Sequence, residues 1–178
     1  MRVLYLACAA FLATNVTFAD QDTSGEILVE PHQAIVQVNG IVCSFCAYGA
    51  EKNLSKLNFL DKSQFGDDGV LIDIRLHRVT LALQPDQEFD FGQVYDAIKK
   101  GGYDPVSFHV NVHGQVRQDG DRYLLTSSDN GQVFEVLGND VGRFVGAGSI
   151  NVTGLIDADR VPTIEAGQPM PMVIASAG

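Results

Sequence analysis

The chain has no tryptophan, only three cysteines and few basic residues. Twelve lysines and arginines stand against 22 aspartates and glutamates, which gives a formal net charge of −10. This excess of negative charge argues against nucleic acid or an anionic membrane surface as a partner. Hydrophobic residues make up 46 % of the 178 residues, so a packed core is expected and wholesale disorder is not.

A long apolar run is missing too. The stretch from Val3 to Val16 is mostly apolar, but it is too short to indicate a transmembrane helix. Arg2 precedes it, and Thr17-Phe18-Ala19 ends in the small residue that a signal peptidase requires. We therefore predict a cleaved export signal over residues 1–19, no stable membrane insertion, and a periplasmic or secreted protein. A lipoprotein site at Cys8 is disfavoured because it leaves hardly any apolar region before it.

Removal of that signal leaves two thiols, Cys43 and Cys46, in the stretch Gly40-Ile41-Val42-Cys43-Ser44-Phe45-Cys46-Ala47. A pair of thiolates suits soft ions such as Cu(I) or Hg(II), and it suits Zn(II) if other ligands complete a set of four. An oxidising compartment instead favours a disulfide. Three uses therefore stay open at this point: a metal site, a thiol–disulfide exchange pair and a structural disulfide.

The residues around the pair predict a strand that leads into a helix. Alternating apolar residues indicate a strand over 34–39, and Gly40 ends it. A helical pattern begins at Ser44, which is predicted to be the N-cap, so Cys46 falls in the first turn. The positive end of a helix favours a thiolate over a thiol.

The fold class is predicted as α+β, with two domains. The order β-α-β-β-α-β over residues 33–112 is that of a ferredoxin-like domain. From Gly114 onwards, short strands separated by glycine and asparagine turns predict a small all-β barrel of the oligonucleotide-binding (OB-like) type, in geometry only. The predicted boundaries are a flexible leader over 20–33, the ferredoxin-like domain over 34–112, the barrel over 113–166 and a disordered tail over 167–178.

Residues 34–112 resemble the heavy-metal-associated domain family, which includes copper chaperones and the periplasmic mercury-binding protein. The resemblance lies in the stretch from Val38 to Ala47, in Glu51-Lys52-Asn53-Leu54 and in the stretch from Ala97 to Tyr103. It implies that Cys43 and Cys46 are the metal ligands and that Tyr103 is the aromatic residue beside them. Ile41 replaces the methionine of the family motif, and an apolar residue there is expected to anchor the loop in the core.

The resemblance also implies a function. The protein would hold a soft metal ion, Cu(I) first and Hg(II) or Zn(II) next, and pass it to or from a partner protein with its own thiolate site. No catalytic base, nucleophile or cofactor loop is evident, so the sequence predicts a binding protein and not an enzyme. The remaining candidate donors are assigned ordinary roles: His32, His77, His109, His113, Met170 and Met172.

Overall fold

The computed structural model describes residues 27–165 and 167–177. The predicted export signal, and the leader as far as residue 26, lie outside the described residues. No helix within the described residues is long and apolar enough to cross a membrane.

Eight strands and two α-helices make up the regular structure of the described residues. The strands are β1 Gln33–Asn39, β2 Val70–Asp73, β3 Arg78–Ala82, β4 Asp104–Asp119, β5 Arg122–Ser127, β6 Val133–Leu137, β7 Ser149–Asp157 and β8 Met170–Ala177. The helices are α1 Ser44–Leu54 and α2 Phe91–Lys100, and two short 3-10 helices cover Val141–Phe144 and Ala158–Thr163. The two α-helices follow β1 and β3, as the sequence predicts.

Helix α2 forms for local reasons that are visible in the sequence. The Asp90 carboxylate accepts a hydrogen bond of 2.9 Å from the backbone N–H of Gln93 and so caps the start of α2. One face of α2 is buried through Phe91, Val94 and Ile98. Strand β2 ends at Asp73, whose carboxylate accepts a hydrogen bond from the N–H of Leu76 and forms a turn there.

The predicted fold class, a ferredoxin-like domain followed by a separate OB-like barrel domain, is wrong. All eight strands belong to one sheet, in the order β2-β3-β1-β4-β5-β6-β8-β7. A further pairing of β4 with β7 closes the last five strands of that order into a barrel. A five-stranded barrel is therefore present, but it is the continuation of one sheet and not a second unit.

Strand β4 is the reason for this difference. It runs for 16 residues without interruption and crosses the boundary predicted at residues 112 and 113. The same edge of β4 pairs first with β1 and then with β5, while its other edge pairs with β7. Gly114, from which the sequence predicts the barrel region, lies inside β4, where a Cβ atom would overlap the carbonyl oxygen of Thr126.

The core confirms that the two halves are joined. The buried residues form one continuous cluster that extends from the helices into the barrel. At its centre the Phe91 ring meets the ring of Phe108 with centroids 5.4 Å apart, and it meets the ring of Phe134 on β6 at 6.2 Å. The chain end predicted as a disordered tail instead contains β8, which pairs with β6 and β7.

Candidate functional site at the start of α1

The two cysteines lie at the junction between β1 and α1, at the start of the helix. Cys43 is the N-cap residue, with φ −149° and ψ 161°, and its sulfur accepts a hydrogen bond of 3.2 Å from the backbone N–H of Cys46. Ser44, predicted as the N-cap, is instead the first residue of the helix. The Cys46 N–H at this end of α1 thus points toward the Cys43 sulfur, an arrangement that stabilises a thiolate there once the pair is reduced.

The sulfur atoms of Cys43 and Cys46 lie at bonding distance, and the two Cα atoms are 5.1 Å apart. Cys43 is exposed, whereas Cys46 is half-buried against the core. A reagent or a partner thiol therefore reaches the sulfur of Cys43 more readily than that of Cys46.

The loop that holds the pair is anchored in the core on one side and exposes apolar side chains to solvent on the other. Ile41 is only 2 % exposed and packs in the core, where the sequence predicts its side chain. Val42 and Phe45 are 71 % and 90 % exposed, so apolar side chains stand in solvent on both sides of Cys43. Gly40, at φ +96°, makes the turn that a residue with a side chain rarely adopts.

Tyr103 follows α2 and reaches the cysteine loop. Its hydroxyl donates a hydrogen bond of 3.0 Å to the carbonyl oxygen of Cys46. Its ring lies so close to Gly40 and Gly101 that a Cβ atom at Gly101 would come within 2.6 Å of it. Tyr103 thus ties the end of α2 to the first turn of α1, while its predicted place beside a metal ion stays a prediction.

One lysine on each helix forms an ion pair. Lys52 on α1 forms an ion pair of 3.2 Å with Asp68, and Lys99 on α2 forms one of 2.7 Å with Asp104. Burial, followed by a hydrogen bond with Asp68, raises the pKa of the Glu51 carboxyl.

A closed tetrahedral site is not built around the pair. No group of three or more histidine, cysteine, aspartate or glutamate side chains is placed to hold a metal ion anywhere in residues 27–165 and 167–177. Met172 is 1 % exposed and belongs to the barrel core, and Met170 is half-buried. Two sulfur ligands suit a soft ion of low coordination number better than Zn(II).

The N-cap role of Cys43 and the hydrogen bond of Tyr103 are features that sequence reasoning missed. The tyrosine stands 57 residues beyond Cys46, so only the packing of α2 against α1 brings the two together. The cap has no local signal, because Ser, Thr, Asp and Asn are the residues that favour the N-cap and Ser44 directly follows Cys43.

Comparison with known proteins gives one partial similarity. No protein-family model matches the chain, and no curated protein matches it. Among solved structures, a CopZ metallochaperone is similar at 24 % sequence identity and a TM-score of 0.35, over 42 % of this chain and 98 % of that chain. At these values the similarity supports no inference about function, and membership of the heavy-metal-associated family stays a prediction.

Proposed function

We propose that the protein is an exported carrier of a soft metal ion, Cu(I) in the first place, which Cys43 and Cys46 bind as thiolates. The observation that carries the proposal is the hydrogen bond from the Cys46 N–H to the Cys43 sulfur at the surface end of α1. This sulfur lies at bonding distance from that of Cys46, and once the pair is reduced the same N–H stabilises the Cys43 thiolate, the form of cysteine that binds metal. The role is that of a carrier and not of an enzyme.

Exposure supports transfer of the ion between proteins. Cys43 is accessible, and Phe45 and Val42 beside it offer an apolar contact surface. A partner thiolate reaches an ion held there because Cys43 is exposed. The loop need not unfold, and Ile41 keeps it anchored in the core. Such a partner, with its own thiolate site, and a periplasmic or secreted location after loss of residues 1–19, belong to the same proposal.

The decisive experiment is a titration of reduced protein, residues 20–178, with Cu(I) against a competing chelator. We expect one ion per chain in the unchanged protein and none in the Cys43→Ser/Cys46→Ser variant. His113→Ala, which alters an exposed histidine on β4, serves as the control and should bind as the unchanged protein does. Equal binding by the double serine variant would contradict the proposal.

Thiol–disulfide exchange is the second candidate, and a specific observation favours it. The two sulfur atoms lie at bonding distance, and the exposed Cys43 is the one that accepts the N–H hydrogen bond. This is the arrangement expected of an attacking thiolate. A disulfide that spans three residues constrains the unfolded chain less than a longer loop does, which argues against a purely structural role.

Equilibration of the pair in glutathione buffers distinguishes thiol–disulfide exchange from a structural disulfide. Exchange proteins have reduction potentials of about −270 to −120 mV, and structural disulfides lie below about −300 mV. A value in the upper range, together with no Cu(I) binding, would replace the carrier proposal by the exchange proposal. A value in the lower range with no Cu(I) binding would leave a structural disulfide.

A further inference from the structure

A cleft of about 690 Å³ opens where the start of α2 meets the barrel. This volume lies in the range of small-molecule sites. Helix α2 has 10 residues and is therefore about 15 Å long. The cysteine loop contacts its other end through Tyr103. The cleft is thus separate from the site proposed for Cys43 and Cys46.

The cleft has apolar walls that a ligand can touch. Val133, Ile164 and Met170 line it and are only half-buried, so part of each side chain is accessible there. Phe89 and Phe91 also line it, and their rings pack edge to face with centroids 4.5 Å apart. Such walls favour a ligand with a hydrocarbon body, because contact with them removes apolar surface from water.

The loop before α2 is held in place by side chains from the turn between β5 and β6. The Gln132 side chain accepts a hydrogen bond of 3.0 Å from the N–H of Phe89 and donates one of 2.9 Å to the carbonyl oxygen of Phe89. The Asn130 side chain donates to the carbonyl oxygen of Gln87 at 2.7 Å. The backbone that carries Glu88 is therefore fixed before a ligand arrives, which lowers the entropic cost of binding.

The rim of the cleft is acidic. Glu88, Asp90 and Glu165 line it and are exposed, and Arg117 is the basic residue in the same lining. None of these four forms an ion pair within residues 27–165 and 167–177. The Asp90 carboxylate already accepts hydrogen bonds from the N–H and the side-chain amide of Gln93, at 2.9 and 2.7 Å. Three carboxylates against one guanidinium give the cleft a net negative charge.

We propose that this cleft binds a small organic cation, an ammonium group on an apolar body. The ammonium group pairs with the exposed carboxylate of Glu88, and the charge of Asp90 two residues on adds to the attraction. The body lies against Val133, Ile164 and Met170. A neutral molecule of the same shape loses the ion pair, and an anion is repelled by the carboxylates. The cleft therefore selects its ligand by the sign of the charge.

The test uses the protein of residues 20–178 and three probes that share one apolar body. These are 4-phenylbutylamine, which is cationic at pH 7, 4-phenylbutan-1-ol, which is neutral, and 4-phenylbutanoate, which is anionic. Calorimetry measures their affinities, and amide chemical shifts locate the bound probe. At low salt we expect the amine to bind about fivefold more tightly than the alcohol and about tenfold or more above the acid. Added salt should weaken the binding of the amine and leave that of the alcohol unchanged.

Two substitutions assign the contacts. Glu88→Gln should abolish the preference for the amine over the alcohol, and Ile164→Ala should weaken the binding of the amine and the alcohol by the same factor. Glu30→Gln, which alters an exposed glutamate outside the lining of the cleft, is the matched control and should change nothing. Thermal unfolding checks that each variant is folded.

Four results would overturn the proposal. They are no binding of the amine up to about 10 mM, equal binding of amine and alcohol, amide shifts that fall outside the lining of the cleft, or a preference for the amine that a folded Glu88→Gln variant retains. If a variant does not fold, the three probes and the amide shifts of the unchanged protein still decide the question, because they need no substitution.

Discussion

Tyr103 joins the cysteine loop to the C-terminal end of α2. Its hydroxyl hydrogen bond to the Cys46 carbonyl crosses 57 positions of sequence, and its ring fills the space above two glycines. The bond holds the first turn of α1 in place from outside the helix. The position of the sulfur atoms therefore depends on a residue that is remote in the sequence.

We predict that Tyr103→Phe lowers the free energy of unfolding of the reduced protein by about 1 kcal/mol, because it removes one partly buried hydrogen bond and keeps the ring. Urea denaturation followed by circular dichroism measures the change. Tyr48→Phe is the control, since the side chain of Tyr48 is 60 % exposed and its hydroxyl is free to contact water. An equal loss in both variants would show that the hydrogen bond to Cys46 contributes nothing specific.

Ile41 illustrates how much a residue-scale prediction from sequence achieves. The structure places it in the core, 2 % exposed, as the resemblance implies for the residue that replaces the motif methionine. Its neighbour Val42 is also β-branched and apolar, yet it is 71 % exposed. Chemical type alone does not distinguish the buried Ile41 from the exposed Val42; their positions in the loop after Gly40 do.

Two glycines inside regular elements differ at the scale of the element: one has room for a side chain, and the other does not. Gly49 lies inside α1, where a Cβ atom would be 3.8 Å from the nearest neighbour, the Tyr103 hydroxyl oxygen. Gly114 lies inside β4, where a Cβ atom would overlap the Thr126 carbonyl oxygen. One glycine is replaceable, and the other is required by a close approach of two strands.

We predict that Gly49→Ala raises the free energy of unfolding by about 0.5–1 kcal/mol, because alanine is the better helix former and meets only ordinary contacts. Gly114→Ala should lower it by about 1–3 kcal/mol, because β4 and β5 must separate to admit the methyl group. The same urea titration measures both variants. Effects of the same sign at the two positions would contradict this account of the two elements.

The sheet and the core are continuous at the scale of the whole molecule. One strand, β4, pairs with both β1 and β5 along one edge and with β7 along the other. The phenylalanine cluster runs from α2 to β6. Neither half therefore has a complete core or a complete set of strand partners by itself.

We predict that a chain of residues 20–112 does not unfold cooperatively, because truncation removes β5 and β7 from β4 and exposes Phe91 and Phe108. The full chain, residues 20–178, should show one cooperative transition. Urea titration and the dispersion of amide resonances distinguish the two outcomes. A cooperative transition in the shorter chain would show that the first half is an independent domain after all.

Local patterns in the sequence determined most elements and the candidate pair of ligands. The two helices, the strand before the cysteines and the short strands after Gly114 follow from periodicity, capping residues and turn residues, each of which acts over a few positions. The spacing of Cys43 and Cys46 is such a local signal as well.

Only the tertiary structure decided how these elements join. Whether Gly114 ends a strand or lies within one depends on what approaches it, and the approaching atom belongs to Thr126 on another strand. The hydrogen bond of Tyr103 and the closure of the barrel by β7 likewise join residues far apart in sequence. Pairing across such separations is fixed by the packing of the whole core, and no short stretch of the chain contains that information.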